Sequence, residues 1–308
     1  MPSVGSHSGE ADNSEPTLPN VTTYLVTGAQ GYVGRYLTHE LLSRRSDATV
    51  IGVGRSAHEG DVLDRYTYER ADVVDTAGIR DVLERHRPEQ VFHLAAAARN
   101  DSRADITRIE VLGTVSLLDA IVTIDGYRPR VVIGSSGGVY GTLDDDQLPA
   151  SESAPCVPVD IRGASKLAAE QMAHIIGERH GVCVLAARIF NVIGPGKDGY
   201  DRLAAHLRPG DSEIRVGNIG ATRDFIDVRD VAIALALIAE RGRCGEAYNI
   251  SSGDEMPLSG ATVEESSLQR TPQVPRYYGD VTRLRELGFV PQHRIEDTLR
   301  DLIAEQRR

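Results

Sequence analysis

A glycine-spaced turn between a short apolar strand and a helix constrains the fold of this chain more than any other feature. The strand signal is Tyr24-Leu25-Val26, and apolar residues recur with helical spacing between Tyr32 and Ser43. The turn between them has glycine at positions 28, 31 and 34. Such a turn brings backbone N–H groups to the first turn of a helix, where the partial positive charge suits a pyrophosphate.

The same alternation of short apolar runs and helical stretches continues along the chain. A second strand is predicted over Thr49-Val50-Ile51-Gly52-Val53, and further strands over residues 65–70, 90–94, 130–134, 182–187 and 247–250. Short strands separated by helices of about ten residues or more are typical of a parallel sheet covered on both faces. We therefore predict an α/β fold with a doubly wound parallel sheet.

Composition divides the chain into three parts. Residues 1–20 are rich in Ser, Gly, Pro and acidic residues, and we expect a disordered tail because they have almost no large apolar side chain to bury. Residues 21–187 carry the alternating pattern. Residues 188–308 are irregular and short, and they are predicted to form a small substrate lobe and to return strands and helices to the first domain.

Charge and hydropathy exclude several classes of partner. The net charge is −11, from 34 basic and 45 acidic residues, which argues against a nucleic acid or an anionic membrane. No stretch approaches the roughly 18 apolar residues of a membrane span, and the first residues lack a signal-peptide pattern. The sequence therefore predicts a soluble cytoplasmic protein with a small-molecule substrate.

The three cysteines, Cys156, Cys183 and Cys244, show neither paired nor metal-type spacing. We expect them to be reduced thiols in a reducing compartment, and we expect no metal site.

Two stretches in the middle of the chain carry a catalytic pattern. Residues 131–141 include Ser136, and a polar loop then leads into Arg162-Gly163-Ala164-Ser165-Lys166. With the glycine turn, this pattern resembles the extended short-chain dehydrogenase/reductase family of NAD-dependent epimerase/dehydratase type, which acts mostly on nucleotide sugars. The resemblance covers residues 22–305 and is nearest to reductases of GDP-linked 4-keto-6-deoxymannose. It implies that residues 21–187 form a NAD(P)-binding Rossmann domain.

The resemblance implies cofactor contacts at the ends of successive strands. They are Gly28, Gln30, Gly31, Tyr32, Val33, Gly34, Arg55, Ser56, Asp72, Val73, Leu94, Ala95, Ala96, Lys166 and Phe190. NAD enzymes of the family commonly end the second strand with an acid that binds the ribose hydroxyls, whereas this strand ends in Gly54-Arg55-Ser56. A guanidinium suits a 2′-phosphate, so the sequence favours NADP, with NAD possible if Arg55 is only a solvated charge.

The reaction centre departs from the family at one position. In the family, a Ser at the position of Ser136 hydrogen-bonds the substrate oxygen and a Lys at the position of Lys166 holds the nicotinamide ribose. A Tyr four residues before the Lys exchanges the hydroxyl proton, and here Arg162 stands in its place. A guanidinium stays protonated and offers donors only, so Arg162 can stabilise an oxyanion but cannot deliver a proton.

Glu110 is a second departure, because the family usually has Asn there. Its charge is opposite to that of Arg162, and we hypothesise that Glu110 pairs with Arg162 or Lys166 to rebuild the site around an ion pair. The alternative is that Glu110 faces solvent.

Other acids are less suited to replace the tyrosine. His93 and Tyr140 correspond to positions that are usually structural in the family. The dehydratase branch has an Asp-Glu pair where this chain has Gly137-Gly138, so the standard 4,6-dehydratase mechanism is not expected.

On the substrate side, the resemblance implies that Asn191 contacts a substrate diphosphate and that Arg223 binds the same group, unless Arg223 only pairs with Asp227. The family commonly dimerises through the helices around residues 101–124 and 165–180, so we expect a homodimer. Within the second of these helices, Leu167, Met172 and Ile175 are predicted to face the core.

Three functions remain open at this point. The first is an NAD(P)-dependent reductase or epimerase of a nucleotide-linked sugar with an atypical proton donor. The second is an enzyme of the same fold that performs elimination, isomerisation or ring chemistry on a smaller substrate. The third is a cofactor-binding sensor or scaffold without turnover.

Overall fold

Seven parallel strands form the main sheet of the protein, in a computed structural model that describes residues 23–58, 63–98, 100–196, 222–257, 274 and 276–305. They are β1 (Thr23–Thr27), β2 (Thr49–Gly54), β3 (Tyr66–Arg70), β4 (Gln90–His93), β5 (Arg130–Ser136), β6 (Cys183–Ile189) and β10 (Ala247–Ile250). Two pairs lie outside it: β7 (Asn191–Ile193) is parallel to β9 (Phe225–Asp227), and β8 (Thr222–Arg223) is antiparallel to β11 (Met256–Pro257). The tail predicted at residues 1–20 falls outside the described residues.

Helices cover both faces of the sheet. They are α1 (Tyr32–Arg44), α2 (Thr76–His86), α3 (Arg103–Thr107), α4 (Gly113–Thr123), α5 (Ile161–His180), α6 (Val228–Arg241), α7 (Thr282–Glu286) and α8 (Ile295–Glu305). Leu37 of α1 and Leu235 of α6 belong to the core on one face, and Leu83 of α2 and Leu117 of α4 belong to the core on the other. The predicted doubly wound α/β fold is confirmed. None of the helices described is long and apolar enough to cross a membrane.

The strand order, β10-β6-β5-β4-β1-β2-β3, reverses its direction between β1 and β4. The connections that leave these two neighbouring strands run to opposite sides, which opens a crevice beyond their carboxyl ends. The fold therefore places the glycine turn after β1 and the segment after β4 against each other.

The core-facing side of α5 differs from the prediction. Met172 and Ile175 are 44% and 61% exposed, so the expectation that they face the core was wrong. The helix instead buries small residues, including Ala169, Ala173 and Gly177. A β-carbon on Gly177 would lie 2.8 Å from the carbonyl oxygen of Val182, so the helix lies too close to the sheet for large side chains.

The expectation of three reduced thiols was also wrong, because Cys183 and Cys244 form a disulfide and only Cys156 is free. The reason lies in the strand register. Ala247 of β10 pairs with Ala186 of β6, and three residues towards the amino ends the same register brings the two cysteines face to face. Spacing along the chain does not reveal this, because it depends on which strands become neighbours.

Candidate active site

A cavity of about 730 Å³ lies at the carboxyl edge of the sheet, in the crevice between β1 and β4. This volume is within the usual range for small-molecule sites. All the cofactor-binding and catalytic residues predicted from the sequence line it: Gly28, Gln30, Gly31, Tyr32, Val33, Gly34, Arg55, Ser56, Asp72, Val73, Leu94, Ala95, Ala96, Glu110, Ser136, Arg162, Lys166 and Phe190. The fold therefore gathers these residues from many parts of the chain into one site.

The glycine turn forms one wall of the cavity from backbone alone. Gly28 has a φ of 69°, and a β-carbon there would lie 2.8 Å from both the nitrogen of Ala95 and the carbonyl oxygen of Leu94. A β-carbon on Gly34 would overlap the carbonyl oxygen of Gly28. Helix α1 begins after Gly31, which has no side chain to cap the first N–H groups. These residues fit a dinucleotide, because its pyrophosphate can approach uncapped N–H groups directly.

The loop after β2 forms another part of the cavity wall. Arg55 and Ser56 have exposed side chains, while their carbonyl oxygens accept hydrogen bonds from Arg70 Nε at 2.9 Å and from the Tyr68 hydroxyl at 3.0 Å. Side chains from β3 thus hold the loop backbone and leave both side chains beside the cavity. Asp72 lies on the same wall, where its carboxylate accepts the N–H of Val74 at 3.2 Å.

Glu110 is buried beside Lys166. It is 4% exposed, and its Oε2 lies 2.6 Å from Lys166 Nζ, while its Oε1 accepts the N–H of Ala97 at 3.1 Å. Lys166 Nζ also donates to the carbonyl oxygen of Gly134 at 2.6 Å, which leaves one of its three donors for another group. The hypothesised contact between Glu110 and a cation is therefore present, and the alternative of a solvent-facing Glu110 is wrong.

A π-helical turn, Arg108–Leu112, carries Glu110 between α3 and α4. Such turns are rare and are frequent at functional sites, because the inserted residue changes which side chains face inward. Here the turn coincides with the side chain that faces Lys166.

Arg162 lies on the cavity wall but takes different partners. Its Nη1 and Nη2 donate to the carbonyl oxygens of Ala97 at 3.3 Å and Ala98 at 2.5 Å. The guanidinium thus holds the segment after β4, and Lys166 is the cation that pairs with Glu110. Arg162 therefore brings a cation to the cavity wall.

Ser136 ends β5 at the catalytic side of the cavity. Its Oγ accepts the N–H of Gly138 at 3.1 Å. The Tyr277 hydroxyl lies beside Gly137, where a β-carbon would overlap it, and burial raises the pKa of Tyr277 above its ordinary value. Tyr277 was missed in the sequence, although it lies in the terminal segment that matched the family, because no spacing ties it to Gly137 or Phe190.

The two other candidate acids are structural here. His93 is 3% exposed, its Nδ1 is 2.9 Å from the hydroxyl of Thr27, and burial together with the charge of Lys166 lowers its pKa to about 3. Tyr140 is buried, donates to Asn249 Oδ1 at 2.8 Å and accepts from Arg188 Nη1 at 3.0 Å. Burial raises the pKa of Tyr140, so it stays a neutral part of the core.

The two residues predicted to bind the substrate diphosphate, Asn191 and Arg223, are not among the described residues that line the cavity, whereas Ser136 is. Asn191 Nδ2 donates to the carbonyl oxygen of Asp224 at 2.9 Å. Arg223 Nη1 donates to the carbonyl oxygens of Thr222 and Val274 at 2.6 and 2.9 Å. Asp227 pairs with Arg229 instead, so the alternative pairing of Arg223 with Asp227 is wrong.

Comparisons with known proteins agree with this geometry. The model of the NAD dependent epimerase/dehydratase family matches residues 24–251. GDP-6-deoxy-D-mannose reductase from Pseudomonas aeruginosa is 30% identical, over 91% of this chain and 95% of that protein. The structure of RMD from Pseudomonas aeruginosa complexed with NADPH is 27% identical, with a TM-score of 0.71 over 92% of this chain and 97% of that one. The structure of MoeE5 in complex with UDP-glucuronic acid and NAD is 30% identical, with a TM-score of 0.76 over 92% and 99%.

Proposed function

Since this chain belongs to the NAD dependent epimerase/dehydratase family, we propose that it is an NAD(P)-dependent reductase or epimerase of a nucleotide-linked 4-keto-6-deoxy sugar, or of a related hydroxyl or ketone substrate. The family contains epimerases, dehydratases and reductases, all of them enzymes. One observation carries the proposal: a single cavity joins the glycine turn to Ser136 and to Lys166. Among the relatives, a GDP-6-deoxy-D-mannose reductase supports the reductase form.

In this proposed function each residue of the cavity has a separate role. A bound nicotinamide supplies or accepts the hydride. The remaining donor of Lys166 would hold the nicotinamide ribose, and Glu110 fixes the position of Lys166 Nζ through the 2.6 Å ion pair. The Ser136 hydroxyl holds the substrate oxygen, where a positioned donor stabilises developing negative charge. Arg162 adds positive charge to the same wall and releases no proton.

Within this function we propose a preference for NADP over NAD. Support comes from Arg55 and Ser56, which are exposed on the cavity wall at the end of a strand that lacks the usual acid. A charge-assisted hydrogen bond to a phosphate contributes about 1.5–3 kcal/mol, so removing Arg55 should weaken NADPH binding about tenfold or more.

The cofactor preference is tested with Arg55→Ala in fluorescence titrations of NADPH and NADH. NADPH binding should weaken while NADH binding stays within about twofold, because only NADPH carries the 2′-phosphate. Arg80→Ala is the matched control, since Arg80 pairs with Glu84 on α2, away from the cavity. Equal weakening of both nucleotides would contradict the preference.

A second candidate is a non-redox enzyme of the same fold, with elimination, isomerisation or ring chemistry on a smaller substrate. The observation that favours it is Arg162, because a permanent cation on the cavity wall replaces the acid that redox relatives use. A third candidate, a cofactor-binding sensor or scaffold, needs only the glycine-turn end of the cavity.

Product analysis separates these candidates. The purified protein is incubated with NADPH and a panel of GDP-, dTDP- and UDP-linked 4-keto-6-deoxy sugars, and the absorbance of reduced nicotinamide is followed. Consumption of NADPH with formation of a 6-deoxyhexose supports the reductase, and an epimer formed without net cofactor change supports the epimerase. Cofactor binding with no product across the panel would contradict the proposal and favour the sensor.

We also propose a homodimer formed by α4, α5 and the preceding π-helical turn. Leu112, Met172 and Ile175 are apolar and 44–61% exposed on these elements, and such side chains gain free energy when a partner covers them. Light scattering of the wild type and of Met172→Glu/Ile175→Glu tests this. A wild type that is monomeric at micromolar concentration would contradict the proposed dimer.

A further inference from the structure

Arg162 presents a fixed group of hydrogen-bond donors at the cavity surface. Its Nη1 and Nη2 donate to the carbonyl oxygens of Ala97 at 3.3 Å and of Ala98 at 2.5 Å, which sets the orientation of the guanidinium. A guanidinium has five N–H donors, so three remain beyond these two bonds. The side chain is half-buried at the start of α5 and lines the cavity. These remaining donors are therefore held in place before any ligand arrives.

The positive charge of Arg162 is not balanced by the acids of the cavity wall. Among the described residues that line the cavity, the acids are Glu110 and Asp72. Glu110 pairs with Lys166 at 2.6 Å, and Asp72 lies 3.7 Å from Arg108. Neither acid forms an ion pair with Arg162. A half-buried cation without a counter-ion favours an anionic ligand, because water compensates its charge less completely there than on an open surface.

Arg162 and Ser136 lie on either side of one glycine. A β-carbon on Gly138 would lie 3.3 Å from Ser136 Oγ and 3.8 Å from the Cα of Gly163. A β-carbon on Gly163 would overlap the carbonyl oxygen of Gly138, so the start of α5 packs directly on the turn after β5. Ser136 and Arg162 both line the cavity. A substrate whose reacting oxygen lies at Ser136 can therefore reach Arg162 with a group attached to a neighbouring carbon.

We propose that Arg162 binds a carboxylate of the substrate, so that the substrate is an acid: a nucleotide-linked sugar acid, or a smaller hydroxy or keto acid. The carboxylate is attached to a carbon next to the one whose oxygen Ser136 holds. This inference rests on the proposed function, in which Ser136 holds the reacting oxygen. It selects, from the hydroxyl and ketone substrates of that function, those that carry a negative charge beside the reacting carbon.

A carboxylate suits this place better than a phosphate group does. The planar fork of a guanidinium donates two parallel N–H bonds to the two oxygens of a carboxylate, and one positive charge balances one negative charge. A diphosphate carries more negative charge than Arg162 alone can balance. The residues predicted to bind a substrate diphosphate, Asn191 and Arg223, donate to main-chain carbonyl oxygens away from the cavity. The single charge of Arg162 therefore indicates a monoanionic group.

The preference for an acid is measured by isothermal titration calorimetry of the wild type saturated with NADPH. Each acid is paired with a neutral counterpart that lacks only the carboxylate. UDP-glucuronic acid is compared with UDP-glucose and GDP-mannuronic acid with GDP-mannose, and a second arm compares lactate with propane-1,2-diol. In one arm the acid should bind about tenfold or more tightly than its counterpart, because a charge-assisted hydrogen bond is roughly twice as strong as a neutral one. The arm that shows the preference distinguishes a sugar acid from a smaller acid. Equal binding within every pair would overturn the proposal.

Arg162→Gln assigns the preference to the guanidinium. Gln keeps amide donors but carries no charge, so binding of the acid should weaken about tenfold or more while the neutral counterpart stays within about twofold. Arg179→Gln is the matched control, since it makes the same change in the last turn of α5, about 25 Å along the helix, and it should keep the preference. An acid preference that survives in Arg162→Gln would overturn the proposal.

A fluorescence titration of NADPH shows whether Arg162→Gln keeps its fold, since its NADPH affinity should stay within about threefold of the wild type. If this variant does not fold, the paired ligands in the wild type still decide whether an acid is preferred, and Arg162→Lys then tests the residue. Arg162→Lys should keep part of the preference, because it retains the charge and loses the planar fork. Full loss of acid binding in folded Arg162→Lys together with an unchanged Arg162→Gln would overturn the proposal.

Failure of the proposed function is seen separately. Tight binding of an acid with no product in the presence of NADP+ or NADPH would contradict the proposed function and still support the carboxylate site. Turnover of neutral sugars with no preference for acids would support the proposed function and overturn this inference. In that case Arg162→Gln should lower kcat on the neutral sugar with little change in KM, because the guanidinium would then act on the developing oxyanion.

Discussion

The cavity wall below the glycine turn is made of backbone, whereas the wall around Lys166 is made of charged and hydroxylated side chains. At the first wall, Gly28 and Gly34 are required because a single added carbon would meet main-chain atoms. At the second wall, Glu110 and Lys166 pair with each other, and Lys166 and Arg162 donate to nearby carbonyl oxygens. Both walls lie at the carboxyl edge of one sheet.

This difference explains how a family pattern can persist at one end of a site and change at the other. A wall made of backbone can bind phosphate groups through its N–H groups, whatever else the ligand carries. An added side chain in it would overlap main-chain atoms. A side-chain wall can be altered by a few substitutions, provided that each buried charge keeps a partner. Glu110 with Lys166 satisfies this condition.

The largest effect is expected at the backbone wall. Gly34→Val would force a branched side chain against the carbonyl oxygen of Gly28 and the Cα of Ala29, so we expect a loss of NAD(P)H affinity of about a thousandfold, or about 4 kcal/mol. Fluorescence titration of the cofactor measures it. Gly126→Ala is the control, because nothing lies within 4 Å of its β-carbon and only its φ of 62° is strained. Unchanged cofactor affinity in Gly34→Val would show that the backbone wall does not need glycine at this position.

The ion pair gives the next largest effect. Lys166→Met leaves Glu110 buried without its cation, and we expect it to lower the free energy of unfolding by about 3 kcal/mol. The double variant Glu110→Leu/Lys166→Met should recover most of this loss, because no buried charge remains. Urea denaturation of the three proteins provides the measurement. A double variant as unstable as Lys166→Met would show that the pair matters for packing and not for charge.

Arg162→Tyr introduces a phenol at the position where the family is expected to have its tyrosine. It tests whether the wall around Lys166 can still support proton transfer. A positioned general acid contributes about 10²–10⁴-fold, and we expect a gain in hydride-transfer rate of at least about tenfold. Single-turnover kinetics with a substrate found in the panel would measure it, and Arg162→Met is the control for loss of the hydrogen bonds to Ala97 and Ala98. No gain over Arg162→Met would mean that the wall no longer accommodates a catalytic phenol.

His93, at the end of β4, gives the smallest expected effect, a change in stability with pH. Its folded-state pKa of about 3 lies below the unfolded value of about 6.5, so the stability it contributes is full above pH 6.5 and falls as the pH drops towards 3. The loss should reach about 0.8 kcal/mol by pH 6. It should be absent in His93→Asn, which does not titrate but can still bond the Thr27 hydroxyl. Denaturation curves at pH 7.5 and pH 6 that change equally in both proteins would refute this assignment.

Much of the fold and of the backbone wall at the glycine turn could be predicted, because the sequence patterns that indicate them are local. The strand β1, the turn at Gly28 and the start of α1 follow one another along the chain, and their order alone specifies a doubly wound sheet. The contact between Glu110 and Lys166 was also predictable. A carboxylate and a nearby cation at expected site positions suggest a pair, although the sequence could not say which cation pairs.

The parts of the fold and of the site that could not be predicted depend on which distant segments become neighbours. Tyr277 packs on Phe190 only after the terminal segment returns to the sheet, and Cys244 meets Cys183 only through the register of β6 and β10. The face of α5 was misjudged because periodicity treats Met172 as core. How closely a helix lies on a sheet decides whether large or small side chains are buried, and this is a tertiary property.

The bond between Cys183 and Cys244 bridges a sequence separation of 61 and encloses β7, β8, β9 and α6, and with them the two predicted diphosphate contacts, Asn191 and Arg223. It sits where the two parallel strands begin, at the rim opposite the cavity. In the chain-entropy account, closing a ring of this size disfavours the unfolded state by about 4 kcal/mol. A protease that cuts the chain once inside the ring would release nothing, because the two pieces stay tethered until a reductant separates them.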